Sequence, residues 1–194
     1  GLRLELVSIK PADVASALND GRVDIALGAT AITDAALADI STAGSYLIDG
    51  PVLFSIVASG TPAPALDLSS LGGLRVGAQR ESVAFWVVEA EYGEGYAVPF
   101  ESLREALGAL VAGEVDVVAA DAAVGAYIAR DFDDILIVGQ IGSAAPLGVA
   151  VKKDAVELES QVRGVLDALA AEGVLETITR KWLGDFPVLE VTAE

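Results

Sequence analysis

The sequence predicts an α/β fold in two lobes, and three observations carry that expectation. Short apolar runs of strand length alternate with amphipathic helical stretches, one helix-to-strand junction occurs twice, and linker composition is confined to one stretch. At 194 residues the chain can bury one large core or two modest ones without staples.

Leu2, Leu4, Leu6 and Ile9 largely alternate with polar residues, the period of a half-buried strand, and Pro11 then opens a helical stretch that runs to Leu18. Gly21 ends it. Residues 23–28 return to a buried strand, so that Leu18-Asn19-Asp20-Gly21-Arg22-Val23-Asp24 forms a junction. The same junction recurs about 90 residues on, as Leu110-Val111-Ala112-Gly113-Glu114-Val115-Asp116. There it follows Leu103, Ala106, Leu107 and Leu110 at helical spacing and leads into the strand of residues 117–120. In both copies glycine takes the left-handed position after a helix and valine starts the next strand. Asp24 and Asp116 read as structural, fixing those turns. Two such copies predict two related lobes; one doubly wound sheet that reuses a good turn is the alternative the pattern leaves open.

Ser59-Gly60-Thr61-Pro62-Ala63-Pro64 has linker composition, and a lobe boundary is expected near it. Strands are expected at residues 74–78, 135–138 and 147–151, with a second crossing through Gly142-Ser143-Ala144-Ala145-Pro146. The C-terminal part reads as helix: Leu158, Val162, Val165, Leu166 and Leu169 form one apolar stripe, Gly173 breaks it, and Leu175, Ile178 and Trp182 form another. Both stripes read as core, as do Phe85 and Trp86, whose other reading is the lining of a ligand site.

Composition narrows the function. Cysteine and histidine are both absent, which removes disulfides, thiolate and imidazole metal ligands, cysteine nucleophiles and an imidazole base, and no cofactor motif is present. The enzymatic expectation falls accordingly. With 29 acidic and 12 basic residues, the formal charge of −17 repels phosphate backbones and anionic lipid surfaces, so nucleic acid is not an expected partner. No apolar run approaches the roughly 20 residues of a membrane span, so no membrane insertion is expected of this segment. The chain opens Gly1-Leu2-Arg3-Leu4 without a basic-then-apolar leader, and a leader or further N-terminal sequence is expected upstream.

The order of these motifs resembles the family-3 extracellular solute-binding proteins, the polar amino-acid-binding components of ABC importers, over nearly the whole chain. Ala29-Thr30-Ala31-Ile32-Thr33 is similar to the family's loop after the first G-x-V-D strand, and Ser45-Tyr46 to its tyrosine-containing segment before the crossing. Asp67 to Gly77 resembles its "dLkGkkVGv", Gly113 to Asp121 its "G-x-vDavvvD", and Gly148 to Lys153 its return strand. Ala171-Glu172-Gly173-Val174 and Lys181-Trp182-Leu183-Gly184 match its C-terminal "adGtl…kWfG". The resemblance implies a two-lobed periplasmic-binding-protein type II fold, a Venus flytrap, whose first lobe here lacks its first strand and helix. It implies a first lobe at residues 1–49, a second at 50–146, and a return to the first at 147–194.

The resemblance also implies a ligand in the interlobe cleft, with an arginine shortly after the "I-T" clamping an α-carboxylate. That position falls at Ala36. The hydrogen-bonding positions before it fall at Gly28, Ala29 and Ala31, with Thr33 of the same loop a further ligand-binding candidate, and the aromatic that would stack on the ligand falls at Pro11. In the second lobe the family's helix start, whose N–H groups face an anion, reads Glu81-Ser82-Val83. Arg80 before it is a candidate to replace the positive charge lost at Ala36, with Glu81 beside it competing for that role; its other reading is a solvated side chain. Asp121 matches the position that accepts hydrogen bonds from the ligand's amino group; its other reading is a helix N-cap for residues 122–129. The expected function is extracytoplasmic binding of a small solute, amine-bearing or an atypical amino-acid-like compound, for an ABC permease. Two alternatives stand beside it: a sensory or interaction domain of a membrane receptor or channel with a degenerate site, and an enzyme similar to cyclohexadienyl dehydratases.

Overall fold

The computed structural model describes residues 3–28 and 38–191. The chain passes between two compact units three times, so that Gly1–Ile48 and Ala145–Thr177 form the first and Asp49–Ala144 and Ile178–Glu194 the second. Residues 59–64, with their linker composition, are an exposed excursion inside the second unit's range.

In the first unit a short 3-10 turn (Pro11–Asp13) leads into α1 (Val14–Asn19), followed by β1 (Ile25–Ala26) and β2 (Ile40–Asp49). These strands flank β8 (Ala145–Lys152) in a sheet ordered β1-β8-β2. Because successive strand residues face opposite sides, β8 serves two cores. Ala150 packs with Leu18 of α1 and Ile40, whereas Val149 and Val151 pack with Ala43 and with Leu158, Val162 and Leu166 of α5 (Val156–Ala171). Those three α5 side chains are only half-buried and Val165 is exposed, so this stripe is the margin of a small core rather than its centre. Polar bonds fasten the same helix to β2: the Ser41 hydroxyl donates to Glu159, and Arg163 donates to both Glu159 and the Thr42 carbonyl, each at 2.7 Å.

Among the described residues the expected N-terminal strand does not form. Residues 3–10 lie outside every described strand, with Leu4 77% and Leu6 87% exposed. Alternation supplies an apolar face, but a strand also needs a neighbour for its N–H and C=O groups, and no described strand pairs with this segment.

The second unit holds a five-stranded sheet ordered β5-β4-β6-β3-β7: β3 (Pro51–Ile56), β4 (Val76–Gln79), β5 (Ala97–Phe100), β6 (Val117–Asp121) and β7 (Ile135–Gln140). Strands β4, β5 and β6 are parallel, and β3 runs antiparallel to β6 and β7. The central strands are covered on both faces and read as continuous apolar runs, with Val52, Leu53, Phe54, Val117, Val118 and Ala119 all essentially inaccessible. Burying a Phe54-sized side chain stabilises by roughly 1.5–3 kcal/mol. Helices α2 (Val83–Tyr92), α3 (Leu103–Val111) and α4 (Ala122–Ala129) follow β4, β5 and β6. The predicted face of α3 is the buried one, with Leu103, Ala106, Leu107 and Leu110 all in the core, and a Ser102–Glu105 capping box starts it.

The last helix, α6 (Val174–Leu183), buries no residue. Trp182, expected in the core, is 46% exposed, its ring beside Tyr127 at 6.4 Å and under the Arg130 guanidinium at 5.7 Å. Trp86 is likewise 55% exposed, while its neighbour Phe85 turns inward against the core. Consecutive helical residues point about 100° apart, so only one of the pair reaches the sheet. Among the described residues no helix is long and apolar enough to cross a membrane.

Candidate functional site

Parallel strands end on the same side of a sheet, and in open α/β sheets ligands bind beyond the carboxyl ends of the strands. In the second unit the register Gln79↔Phe100 and Ala78↔Ala119 sets the Arg80-Glu81-Ser82 loop, Glu101 and Asp121 along that edge. The antiparallel β3 starts there, with Pro51 opposite Asp121, and brings Asp49 and Gly50 alongside. Arg80, Ser82, Val83 and Asp121 are thus gathered on one edge. Pro11 belongs to the first unit, in an exposed 3-10 turn, and Ala31, Thr33 and Ala36 lie outside the described residues.

Arg80 is half-exposed and its Nε donates to Glu101 at 3.3 Å. Glu81 adopts φ 60°, a left-handed conformation rare for a residue with a side chain, which turns the chain sharply into α2. Ser82 then caps α2, its hydroxyl accepting the Phe85 N–H at 3.1 Å. Val83 and Trp86, three residues apart on the first turn, share an exposed apolar face beside this loop.

Asp121 occupies the N-cap position of α4 with extended φ and ψ of −65° and 135°, yet its side chain makes no capping bond. Asp49 does that work instead. One oxygen of the Asp49 carboxylate accepts the Ala123 N–H and the Gly50 N–H, both at 2.9 Å, while the Gly50 carbonyl accepts the Ala122 N–H at 2.9 Å. The Asp121 carboxylate is left without a hydrogen-bond donor among the described residues. Partial burial pushes its pKa up from the ordinary carboxylate value, and the nearby Asp49 charge adds to that rise. A half-buried carboxylate short of donors is suited to receiving a cation that brings its own N–H groups.

At the opposite end of the same strand, Asp116 is fully engaged. Its Oδ1 accepts Arg75 Nη2 at 2.7 Å, and its Oδ2 accepts both Arg75 Nε at 3.1 Å and the Arg75 backbone N–H at 2.7 Å. The Arg75 bonds hold the Asp116 pKa down at about 2. Asp116 therefore ties the starts of β4 and β6 together, the structural role expected of it. Asp24 is exposed and makes no such pair among the described residues.

Three other residues were missed by sequence reasoning. Asp49 carries no local signal, because its helix partner is 74 positions away. Gln140 clasps the C-terminal segment: its Nε2 donates to the Glu190 carbonyl at 2.7 Å and its Oε1 accepts the Glu190 N–H at 2.8 Å. Glu89 is buried and accepts the backbone N–H groups of Gly95 and Ala97 at 2.7 and 2.8 Å, closing the turn between α2 and β5.

This fold is that of the type II periplasmic binding proteins. An ancestral cationic amino-acid solute-binding protein superimposes with a TM-score of 0.82 at 22% identity, covering 94% of this chain and 79% of that one. The chain belongs to the bacterial extracellular solute-binding proteins, family 3, which it matches over residues 1–185. The ABC transporter glutamine-binding protein GlnH of Bacillus subtilis is 25% identical over 171 residues, which is 88% of this chain. The chain spans 61% of that curated relative's length. An ancestral arginine-binding protein bound to arginine is 26% identical, with a TM-score of 0.61 over 95% of this chain and 82% of its own.

Proposed function

We propose that this chain binds a small cationic, amine-bearing solute, an amino acid or a compound like one, outside the cytoplasm for delivery to an ABC permease. The Asp121 carboxylate carries the reading: it stands half-buried at the carboxyl edge of the parallel strands with its capping duty taken by Asp49. A ligand ammonium supplies the missing donors, and each charge-assisted bond contributes about 1.5–3 kcal/mol. The resemblance sets alanine at position 36 where the family's arginine clamps an α-carboxylate, which supports recognition through the amine. The arginine-bound relative supports a cationic ligand class, and membership of the family supports binding and delivery rather than turnover.

Isothermal titration with L-arginine, L-lysine and putrescine, set against L-glutamine, L-glutamate and succinate, tests this. The cationic set is expected to bind most tightly, and Asp121→Asn to weaken it about tenfold or more, the equivalent of about 1.4 kcal/mol. Tightest binding of a neutral or anionic solute, or an unchanged affinity in Asp121→Asn, refutes the reading.

A further inference from the structure

We infer that Asp49 is a positioning residue for the ligand site: by capping α4 from outside the helix it keeps the Asp121 carboxylate from capping that helix and so leaves it free for the solute. The inference rests on the reading of Asp121 as the carboxylate that meets the ligand amine. Its geometry comes from the first turn of α4. An aspartate at an N-cap ordinarily accepts the N–H of the second or third helical residue. Here Asp121 is the N-cap residue, its backbone is already in the extended conformation that caps adopt, and its side chain makes no such bond.

The nearer of those donors is taken: Ala123 N–H is bound by the Asp49 carboxylate, and the Ala122 N–H before it by the Gly50 carbonyl, each at 2.9 Å, so the 49–50 segment, between β2 and β3, occupies the first two N–H groups of the helix and sets the Asp49 negative charge beside the third. The Gly50 N–H on the same Asp49 oxygen fixes the cap rigidly in place. A second carboxylate moving toward those N–H groups would meet the Asp49 negative charge as well as an occupied donor. Gly50 is itself constrained, because a Cβ there would come within 2.7 Å of the Ala144 Cα and 2.9 Å of its Cβ. The segment that delivers Asp49 thus has little room to retreat.

Removing the Asp49 side chain opens the cap to the only acid already standing at the N-cap position. Asp121 is then expected to turn its carboxylate onto the Ala123 or Val124 N–H, and the ligand loses its partner without any change at Asp121 itself.

Crystal structures of ligand-free Asp49→Ala and Asp49→Asn, with titration of both by L-arginine, test this. In Asp49→Ala the Asp121 carboxylate is expected within hydrogen-bond distance of an α4 N–H, and L-arginine affinity to fall tenfold or more. Asparagine keeps the accepting oxygen while losing the charge, so Asp49→Asn is expected to leave Asp121 uncapped and affinity within about threefold of wild type. In the Asp121→Asn background, Asp49→Ala is expected to add no further loss, because it acts through Asp121. If Asp49→Ala does not fold, Asp49→Ser, with its shorter reach to the same N–H groups, replaces it. An Asp121 carboxylate that stays off the helix in Asp49→Ala, or equal losses in the Ala and Asn variants, overturns the inference. The ligand-free structures decide it even if L-arginine binds neither variant nor wild type, an outcome that would fall on the proposed ligand instead.

Discussion

The two copies of the helix-to-strand junction begin alike and end differently. In each, a glycine at φ near 70° donates its N–H three residues back and the next residue donates five residues back: Gly21 to Leu18 and Arg22 to Ala17, then Gly113 to Leu110 and Glu114 to Ala109. These are the paired bonds of a Schellman ending, and they depend only on neighbours in sequence. Past the turn the copies diverge. The first yields the two-residue β1 and an exposed Leu27, the second a five-residue strand buried between β4 and β3. The difference lies in what waits for the strand. Asp116 finds Arg75 and β6 finds two flanking strands, whereas Asp24 is exposed and, among the described residues, β1 pairs along one side only. A turn is written locally; a strand is granted by its partners.

That distinction sorts the glycines by cost, and the largest cost falls where a distant neighbour, not the local φ, demands glycine. A Cβ on Gly139 would lie 1.5 Å from the Leu66 carbonyl oxygen, and the Leu66 N–H is bound to the Val138 carbonyl at 2.8 Å, so the clash is with backbone that is itself held. Gly139→Ala is expected to destabilise the second unit by about 3 kcal/mol, read as a lowered urea midpoint. Next come Gly21→Ala and Gly113→Ala, each placing a Cβ in left-handed backbone at about 1–2 kcal/mol. If the junctions are local devices, the two losses agree, although one precedes a poor strand and the other a central one. A much larger loss at Gly113 would show that the strand, not the turn, sets the price.

The same division explains what could be read from the sequence. The glycine ends of the helices, the α3 face and strands β4, β6, β7 and β8 were legible because their signals are local: a helical period, a glycine, a short apolar run. Strand β2 was not, since Thr42-Ala43-Gly44-Ser45 dilutes its alternation with small residues and its place is set by β8. Alternation at Leu4 and Leu6 was legible and misleading, because no described strand takes up the pattern. At the candidate site the position of Asp121 could be found and its chemistry could not. Whether it capped α4 was decided by Asp49, a residue whose relevance exists only after β3 has paired with β6.

The smallest expected effect is also the most diagnostic, because β6 ends on one aspartate and is preceded by another, with opposite shifts. Asp116, held at about 2 by Arg75, sits below the unfolded aspartate value of about 3.9, so its contribution to stability is fully present above pH ~4 and fades as pH falls toward 2. Asp121 has the reverse sign. Its folded pKa lies above the unfolded value, so the folded state holds its proton longer, and stability declines as pH rises through that window and stays lower beyond it. Urea unfolding followed from pH 2.5 to pH 7 separates them. Asp116→Asn is expected to flatten the acid limb and lose stability at neutral pH. Asp121→Asn is expected to leave the acid limb intact and to match or exceed wild type at neutral pH, since it removes a carboxylate that partial burial and the Asp49 charge both disfavour. A neutral-pH loss in Asp121→Asn comparable to that of Asp116→Asn would mean that Asp121 is engaged in holding the fold together. The contrast between a strand end that serves the fold and one kept for a ligand would then collapse.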